Sequence, residues 1–211
     1  MFRRIAYICC AFLVASLILF ISVLKTASIK YAFALPASPQ PTSTPSNEKP
    51  VTIDYSLAYP GSILPDSPFW FLKAARDRLW LFITTDSGKK ADLMLLFADK
   101  RLASSKILFE RNKSSVAFSS LSKGEKYLEI AVIQGKENMK KGMDTVPFWQ
   151  KLANAALKHR EVLEEILKIA PEDAKPGIIQ SEDYAKNAFK EARDALNSKG
   201  VPVPENPFER P

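Results

Sequence analysis

Few side chains in this sequence could do chemistry, and their spacing favours packing over catalysis. The single histidine, His159, falls on an apolar helical stripe between Ala156 and Leu163. That position is typical of a core histidine whose ring nitrogens are satisfied by neighbours. Helical bundles can hold haem between a His and a Met, and the chain has Met94, Met139 and Met143, but it has no c-type attachment motif. We therefore expect His159 to have a packing role without metal or cofactor.

The acidic and sulfur-containing residues support the same expectation. Cys9 and Cys10 lie inside an N-terminal apolar run, so the rest of the chain has no thiol for a disulfide, a nucleophile or a metal site. There is no Glu-x-x-His pair, nucleophile elbow or dinucleotide fingerprint. The acidic pairs are explained as solvated helix faces and caps; they are Glu161, Glu164, Glu165, Glu172 and Asp173. The sequence predicts a protein that is not an enzyme, with no catalytic, cofactor-binding or metal residue.

The N-terminus predicts export. Arg3 and Arg4 precede an apolar run, Ile5 to Leu24, that is just long enough to span a bilayer. Ala32-Phe33-Ala34 resembles a signal-peptidase site before Leu35. Residues 1–34 are therefore either a cleaved signal peptide or a retained membrane anchor. Both alternatives place the remainder outside the cytoplasm, secreted or anchored to the cytoplasmic membrane.

The charge of the chain indicates no nucleic-acid partner. The formal net charge is +7, but residues 1–34 hold four basic residues and no acid. The rest has 26 basic and 23 acidic residues in a well-mixed order, and no basic patch stands out. We expect an unidentified envelope or membrane protein as partner, and contact with the membrane through residues 5–24 if they are retained.

Proline and glycine divide the chain into segments. Residues 35–58 form a Pro/Ser/Thr-rich linker followed by an extended segment expected to lie across the helices. Residues 59–199 form the helical domain. Residues 200–211 contain four prolines after Val201 and are predicted to be a disordered tail.

The most apolar helix is predicted at Ser67 to Ile83. Asp66 or Ser67 can cap it, and Pro68 fits the first helical position because it lacks the N–H that would be unpaired. It carries Trp70 and Trp80 and is apolar almost all round, so neighbours must bury it or it must lie in a membrane interface. We expect it to be the centre of the bundle, with the interfacial position as the alternative.

Four further helices follow with apolar stripes at helical spacing. They are predicted at about 89–111, up to about 141, from Pro147 to Ala170, and from Ile178 to Ser198. The fold class is therefore all-α: an antiparallel bundle of about five helices after the N-terminal signal or anchor and the Pro-rich linker. The residues expected on the apolar stripes of these four helices are Ala91, Met94, Leu95, Phe97, Ala98, Leu102, Ser105, Ile107, Leu108, Phe109, Ala117, Leu121, Gly124, Leu128, Ala131, Gly135, Trp149, Leu152, Ala156, His159, Leu163, Ile166, Tyr184, Ala185, Ala188, Phe189, Ala192 and Leu196.

Three segments resemble one bacterial family. These are L-P-D-S-P-F-W-F-L-K-A-A-R-D-R-L at 64–79, F-I-T-T-D-S-G-K-K-A-D-L at 82–93 and A-D-K-R-L at 98–102. The pattern is similar to that of the domain of unknown function numbered 5667, with Trp70 where that family commonly has Tyr. The resemblance extends over roughly 59–196 and implies secreted or membrane-anchored helical proteins, without a known activity.

Together these observations predict a structural or protein-interaction role at the cell envelope. The alternatives are a peripheral membrane or lipid-binding module that uses Phe69 to Phe82, and a regulatory sensor acting on a membrane partner. A carrier of small molecules between helices is a further alternative.

Overall fold

The computed structural model describes residues 53–209 and contains five α-helices and no strand within that range. The predicted signal or anchor (1–34) and the Pro-rich part of the linker lie outside the described residues. The helices are α1 (Trp70–Ile83), α2 (Ser87–Glu110), α3 (Ser114–Lys140), α4 (Val146–Ile169) and α5 (Lys175–Asn197). The predicted all-α fold class is confirmed.

Helices α2 to α5 form the bundle. The most extensive packing is between α2 and α3 and between α4 and α5, and the two pairs meet through α3 with α5 and α2 with α4. Because short loops connect α2 to α3, α3 to α4 and α4 to α5, consecutive helices run antiparallel. The predicted stripe residues of these helices are buried, except Ile107 and Tyr184, which are half-buried.

Local signals set the ends of these helices. The Asp86 side chain accepts a hydrogen bond from the Lys89 backbone N–H at 2.7 Å, as its predicted capping role requires. Pro147 lies in the first turn of α4. Thr145 occupies the N-cap position of α4 but makes no side-chain capping bond.

The extended segment and the C-terminal residues pack on the bundle. Ile53 and Leu64 are buried in the chain that precedes α1. At the other end, Val201, Val203 and Phe208 pack against the apolar core, and Arg160 lies 4.4 Å from the centre of the Phe208 ring. The expected disorder of residues 200–211 therefore does not hold for 201–208, because these apolar side chains find a surface to cover.

The first helix is not where the sequence placed it. It contains no buried residue, and its backbone approaches only α2 among the other helices. It begins at Trp70, three residues later than predicted, and Asp66 forms an ion pair with Lys113 at 2.6 Å instead of capping it. The expectation that Ser67 to Ile83 is the centre of the bundle is wrong.

Candidate functional site

A polar layer crosses the bundle between two apolar halves of the core. It consists of Asp99 from α2, Glu125 from α3 and His159 from α4, and all three are buried. The His159 Nδ1 lies 2.9 Å from Glu125 Oε1, and its Nε2 lies 3.1 Å from Asp99 Oδ1. One imidazole therefore joins three helices.

The carboxylates hold His159 in its charged form. Burial by itself would lower the pKa of His159, but the charge of Glu125 and the hydrogen bonds to both carboxylates outweigh it and raise the pKa to about 10. At neutral pH the ring is an imidazolium that donates both of its N–H groups. The second carboxylate oxygen of Glu125, Oε2, has no hydrogen-bond partner in the described part of the chain.

The polar layer also fastens the extended segment. The Tyr55 hydroxyl donates to Asp99 Oδ2 at 2.8 Å, and burial together with the Asp99 charge raises the pKa of that hydroxyl. Two residues earlier, the Ile53 backbone N–H donates to Glu161 Oε2 at 2.8 Å. The layer thus positions the segment that leads to α1.

Enclosure limits what the layer can do chemically. Both ring nitrogens of His159 are engaged by carboxylates, and no part of the residue is exposed. Of the candidate haem ligands, Met94 is buried in one of the two apolar halves of the core and Met143 is 37% exposed. Within residues 53–209, no group of three or more His, Cys, Asp or Glu side chains could hold a metal ion. This geometry suits a structural role.

A second feature lies on the surface of α1. The helix directs an outward stripe of six exposed residues away from α2, at positions that recur with helical spacing. Its large side chains are exposed to solvent, and the exposed fraction reaches 86% for Phe82. The outward stripe consists of Phe71, Leu72, Ala75, Leu79, Phe82 and Ile83.

Contacts of Lys73 and of aromatic side chains hold the other side of α1 against the chain before it and against α2. The Lys73 ammonium donates to the carbonyl oxygens of Pro60 and Ile63, the latter at 3.0 Å, and so ties α1 to the chain before it. Trp70 and Leu81 are half-buried on the same inward side. Trp80, at 45% exposure, makes an edge contact with Phe97 of α2, their ring centres 6.4 Å apart. These contacts fix the orientation of α1, so the outward stripe is left in solvent.

Beside the outward stripe lies a basic cluster, Arg78, Arg101 and Lys123. It combines residues from α1, α2 and α3. Burial lowers the pKa of Arg101 and of Lys123, and the positive charge of Arg78 lowers both further. Tyr127 and the charge of Asp77 act in the opposite direction on the pKa of Arg101. Lys123 also has its pKa lowered by Arg101. The three bases are therefore close enough to repel one another.

Sequence reasoning found the buried position of His159 but missed its partners, and it kept an exposed, interfacial α1 only as the alternative to a central helix. Asp99 and Glu125 were not predicted as core residues, although each falls on its helix's apolar stripe, where an acid signals a buried polar contact. Of the acidic pairs, Glu161 is buried and bonded, whereas Glu165 forms a surface ion pair with Lys106 at 2.6 Å.

None of the helices described over 53–209 is long and apolar enough to cross a membrane.

Comparison with known proteins gives one match. The model of a family described as a domain of unknown function (DUF5667) matches residues 62–173, which is more than half of the chain. No curated protein and no solved structure matches. The family match confirms the resemblance seen in the segments 64–79, 82–93 and 98–102, and it includes the outward stripe and the polar layer.

Proposed function

The chain belongs to the DUF5667 family, and we propose that its helical domain is a non-enzymatic interaction module of the cell envelope. In this proposal the domain lies on the outer face of the cytoplasmic membrane, with the outward stripe of α1 in the lipid interface. The observation that carries the proposal is the exposed stripe itself. Contiguous apolar surface of this kind on a soluble domain marks a site of protein or membrane contact.

The arrangement of charges favours a lipid surface. Arg76 and Arg78 flank the outward stripe on its two sides and are exposed. A helix with aromatic and aliphatic residues on one face and arginines at its borders suits the boundary between acyl chains and headgroups. The arginine stems can lie along the apolar region while the guanidinium groups reach the headgroups. The sequence-based expectation that export brings this domain to the membrane exterior supports the same location.

The absence of an enzymatic role is part of the proposal. The one imidazole is enclosed and bonded to two carboxylates, so it has no access to a substrate. The outward stripe, in contrast, is accessible and carries no titratable side chain. A contact surface is therefore better supported by these residues than a reaction site.

A fluorescent label at the stripe tests this proposal. Phe82 is replaced by Cys in a full chain whose Cys9 and Cys10 are changed to Ser, and the single thiol is labelled with a polarity-sensitive dye. The matched control places the label at Ile179→Cys on α5, where an apolar residue is 54% exposed but lies outside the outward stripe. Both chains are reconstituted into phosphatidylcholine vesicles.

We expect the emission of the Phe82 label to shift to the blue with vesicles, and the Ile179 label to report water. Water-like emission at both positions would contradict the proposal. If the Phe82 label were shielded in native envelope membranes but not in lipid vesicles, the stripe would dock on a membrane protein instead. That result would favour the regulatory or structural alternative.

A further inference from the structure

We infer that residues 53–57 form a releasable strap over the polar layer, and that this strap takes up a pull from the N-terminal side of the chain before the pull reaches α1. The strap is extended chain that contacts α2 and α4. Its side chains alternate: Ile53, Tyr55 and Leu57 pack on the bundle, and Asp54 and Ser56 are exposed. The load-bearing part of the inference rests on the proposed function, because it concerns the membrane contact of α1, whereas the release of the strap does not.

Two hydrogen bonds hold the strap, and both end on the side chains of buried acids. The Ile53 backbone N–H donates to Glu161 Oε2 of α4 at 2.8 Å. The Tyr55 hydroxyl donates to Asp99 Oδ2 of α2, also at 2.8 Å. The other oxygen of each carboxylate has a basic partner on α4. Both acids therefore keep a charged partner when the strap leaves, so its release isolates no buried charge.

The apolar contacts of the strap join the two apolar halves of the core. Ile53 and Tyr55 pack on one half, and Leu57 packs on the other. Leu57 also forms one wall of an open groove of about 410 Å³ between α2 and α4. The strap thus crosses the edge of the polar layer, and lifting it opens the Tyr55 side of Asp99 to water.

Release can be local because the helices do not share their backbone hydrogen bonds with the strap. The strap's own backbone bond runs from Tyr55 N–H to the Ile53 carbonyl at 2.8 Å, and no such bond among the described residues joins the strap to a helix. Segments with few buried contacts open at a lower free energy than the core. Opening also hydrates the Asp99 carboxylate, which offsets part of the lost contact.

The order of the chain makes the strap the first described part to receive a pull from residues 1–52. While the strap is closed, α2 and α4 take that pull through their acidic side chains. Beyond the strap, the chain is fastened to α1 by Lys73, which binds the carbonyl oxygens of Pro60 and Ile63. Once the strap has opened, these contacts carry the pull to the helix that the proposed function places in the membrane. The closed strap therefore shields the contact of α1.

Thiol labelling tests the release in full chains whose Cys9 and Cys10 are changed to Ser. A thiol at Ile53→Cys reports opening of the strap and keeps the backbone N–H that holds it. A thiol at Ser105→Cys reports opening of the bundle, because Ser105 is fully buried on α2 and its hydroxyl has no hydrogen-bond partner among the described residues. Both labelling rates are measured at low concentrations of urea, where the bundle stays folded.

We expect the Ile53→Cys thiol to react much faster than the Ser105→Cys thiol, at a rate that hardly depends on urea. The Ser105→Cys rate should rise steeply with urea, since global unfolding exposes far more surface than local release does. Equal rates with equal urea dependence would overturn the inference, because the strap would then open only with the whole bundle.

Two phenylalanine variants test what holds the strap. Tyr55→Phe removes the hydroxyl that binds Asp99, and the control Tyr184→Phe makes the same change at a half-buried tyrosine of α5. Tyr55→Phe should accelerate labelling at Ile53→Cys about 10- to 100-fold, the scale of one hydrogen bond to a charged group. The control should leave that rate unchanged. No acceleration by Tyr55→Phe, or the same acceleration by both variants, would contradict the assigned contact.

Single-molecule pulling tests the path of the load. Handles are attached at Thr52→Cys and at the exposed position Lys199→Cys in the full chain in phosphatidylcholine nanodiscs, so that the load enters the described structure at Ile53. We expect a first small extension at low force, before the extension that accompanies unfolding of the bundle. Tyr55→Phe should lower the force of the first step and leave that of the second, because the bond to Asp99 is already broken by then. A single unfolding step would overturn the load-bearing role.

The strap and the membrane-surface function fail separately in these experiments. If both thiols open together, the strap belongs to the cooperative bundle and the inference is overturned, whereas a blue-shifted Phe82 label in phosphatidylcholine still supports the proposed function. If the strap opens alone but the Phe82 label reports water with every vesicle, the proposed function fails. The releasable strap then remains without its role for α1.

Discussion

Replacing His159 with Gln should destabilise the bundle far more than removing one ordinary polar contact. The imidazolium is bonded to Glu125 at 2.9 Å and to Asp99 at 3.1 Å, and all three side chains are buried. Without the positive charge, two carboxylates face each other in the core. A glutamine amide can donate to one of them, but its carbonyl oxygen would face the other.

The size of the effect follows from leaving charge unpaired. Removing one partner of a buried ion pair costs about 3–5 kcal/mol. Because a typical domain is held by about 5–15 kcal/mol, His159→Gln should lower the melting temperature sharply. A variant that also carries Asp99→Asn and Glu125→Gln has no buried charge in the layer, so it should recover much of the loss.

The stability difference between the wild type and His159→Gln should also depend on pH, in a direction that follows from the pKa of His159. The pKa of His159 is raised from 6.5 to about 10 on folding. A group with a raised folded pKa contributes its full stability below the unfolded value and loses that contribution as the pH rises. The advantage of the wild type over His159→Gln should therefore be constant below pH 6.5. It should then decrease toward pH 10 by up to about 1.4 kcal/mol per pH unit.

Urea denaturation followed by far-UV circular dichroism measures these differences, in a chain that begins at Val51. Each pH requires the wild type, His159→Gln and the triple variant, so that titration of groups outside the polar layer cancels in the comparison. A loss below about 1 kcal/mol in His159→Gln would refute the reasoning. A wild-type advantage that grew between pH 7 and pH 9 would refute the assigned direction of the pKa shift, since the ring would then be neutral in the fold.

Three further predictions concern packing. Trp149→Ala should lower the free energy of unfolding by about 3–5 kcal/mol because the side chain is only 2% exposed. Trp80→Ala should lower it by at most about 2 kcal/mol because Trp80 is 45% exposed, and equal losses in urea denaturation would contradict this ranking. Gly135→Ala should destabilise by about 1–3 kcal/mol, since its new methyl would lie 2.5 Å from a Phe148 ring carbon, and an unchanged melting temperature would show that the ring moves freely. Phe82→Ser should unfold within about 0.5 kcal/mol of the wild type because Phe82 is 86% exposed, and a large loss would mean that the outward stripe is covered in the free chain.

The bundle could be predicted because its signals are local. Leu95, Leu128 and Leu163 recur on stripes with the helical period, and such stripes must face a common core. The caps and prolines that end these helices act within a few residues of themselves. Helix boundaries and core positions on α2 to α5 therefore follow from short windows of sequence.

The place of α1 could not be predicted in this way. A helix that is apolar almost all round has no single inward face, so its pattern does not select a neighbour. The orientation is set by Lys73, whose ammonium binds the carbonyls of Pro60 and Ile63, and by stacking of Trp70 with Arg101. These contacts join residues whose pairing is not marked by any spacing in the sequence.

The basic cluster could not be predicted either, because its members are far apart in the chain. Arg78, Arg101 and Lys123 are each followed or preceded by ordinary mixed charges, and only packing of α1, α2 and α3 brings them together. The polar layer is a different case. Asp99 and Glu125 stand at stripe positions, so a search for acids on apolar faces would have paired them with His159.

In the proposed membrane-surface function, the length of chain before the domain bears on how strongly α1 must bind. If residues 5–24 are retained in the membrane, the 28 residues from Lys25 to Thr52 tether the domain to the same surface. Linking two contacts in one chain raises the effective concentration of the second to as much as about a millimolar, so a weak interfacial contact of α1 is then sufficient. If residues 1–34 are cleaved, the proposed function requires the outward stripe to hold the domain at the membrane alone. Comparing vesicle binding of the full chain with that of a chain beginning at Leu35 therefore separates the tether's contribution from that of α1.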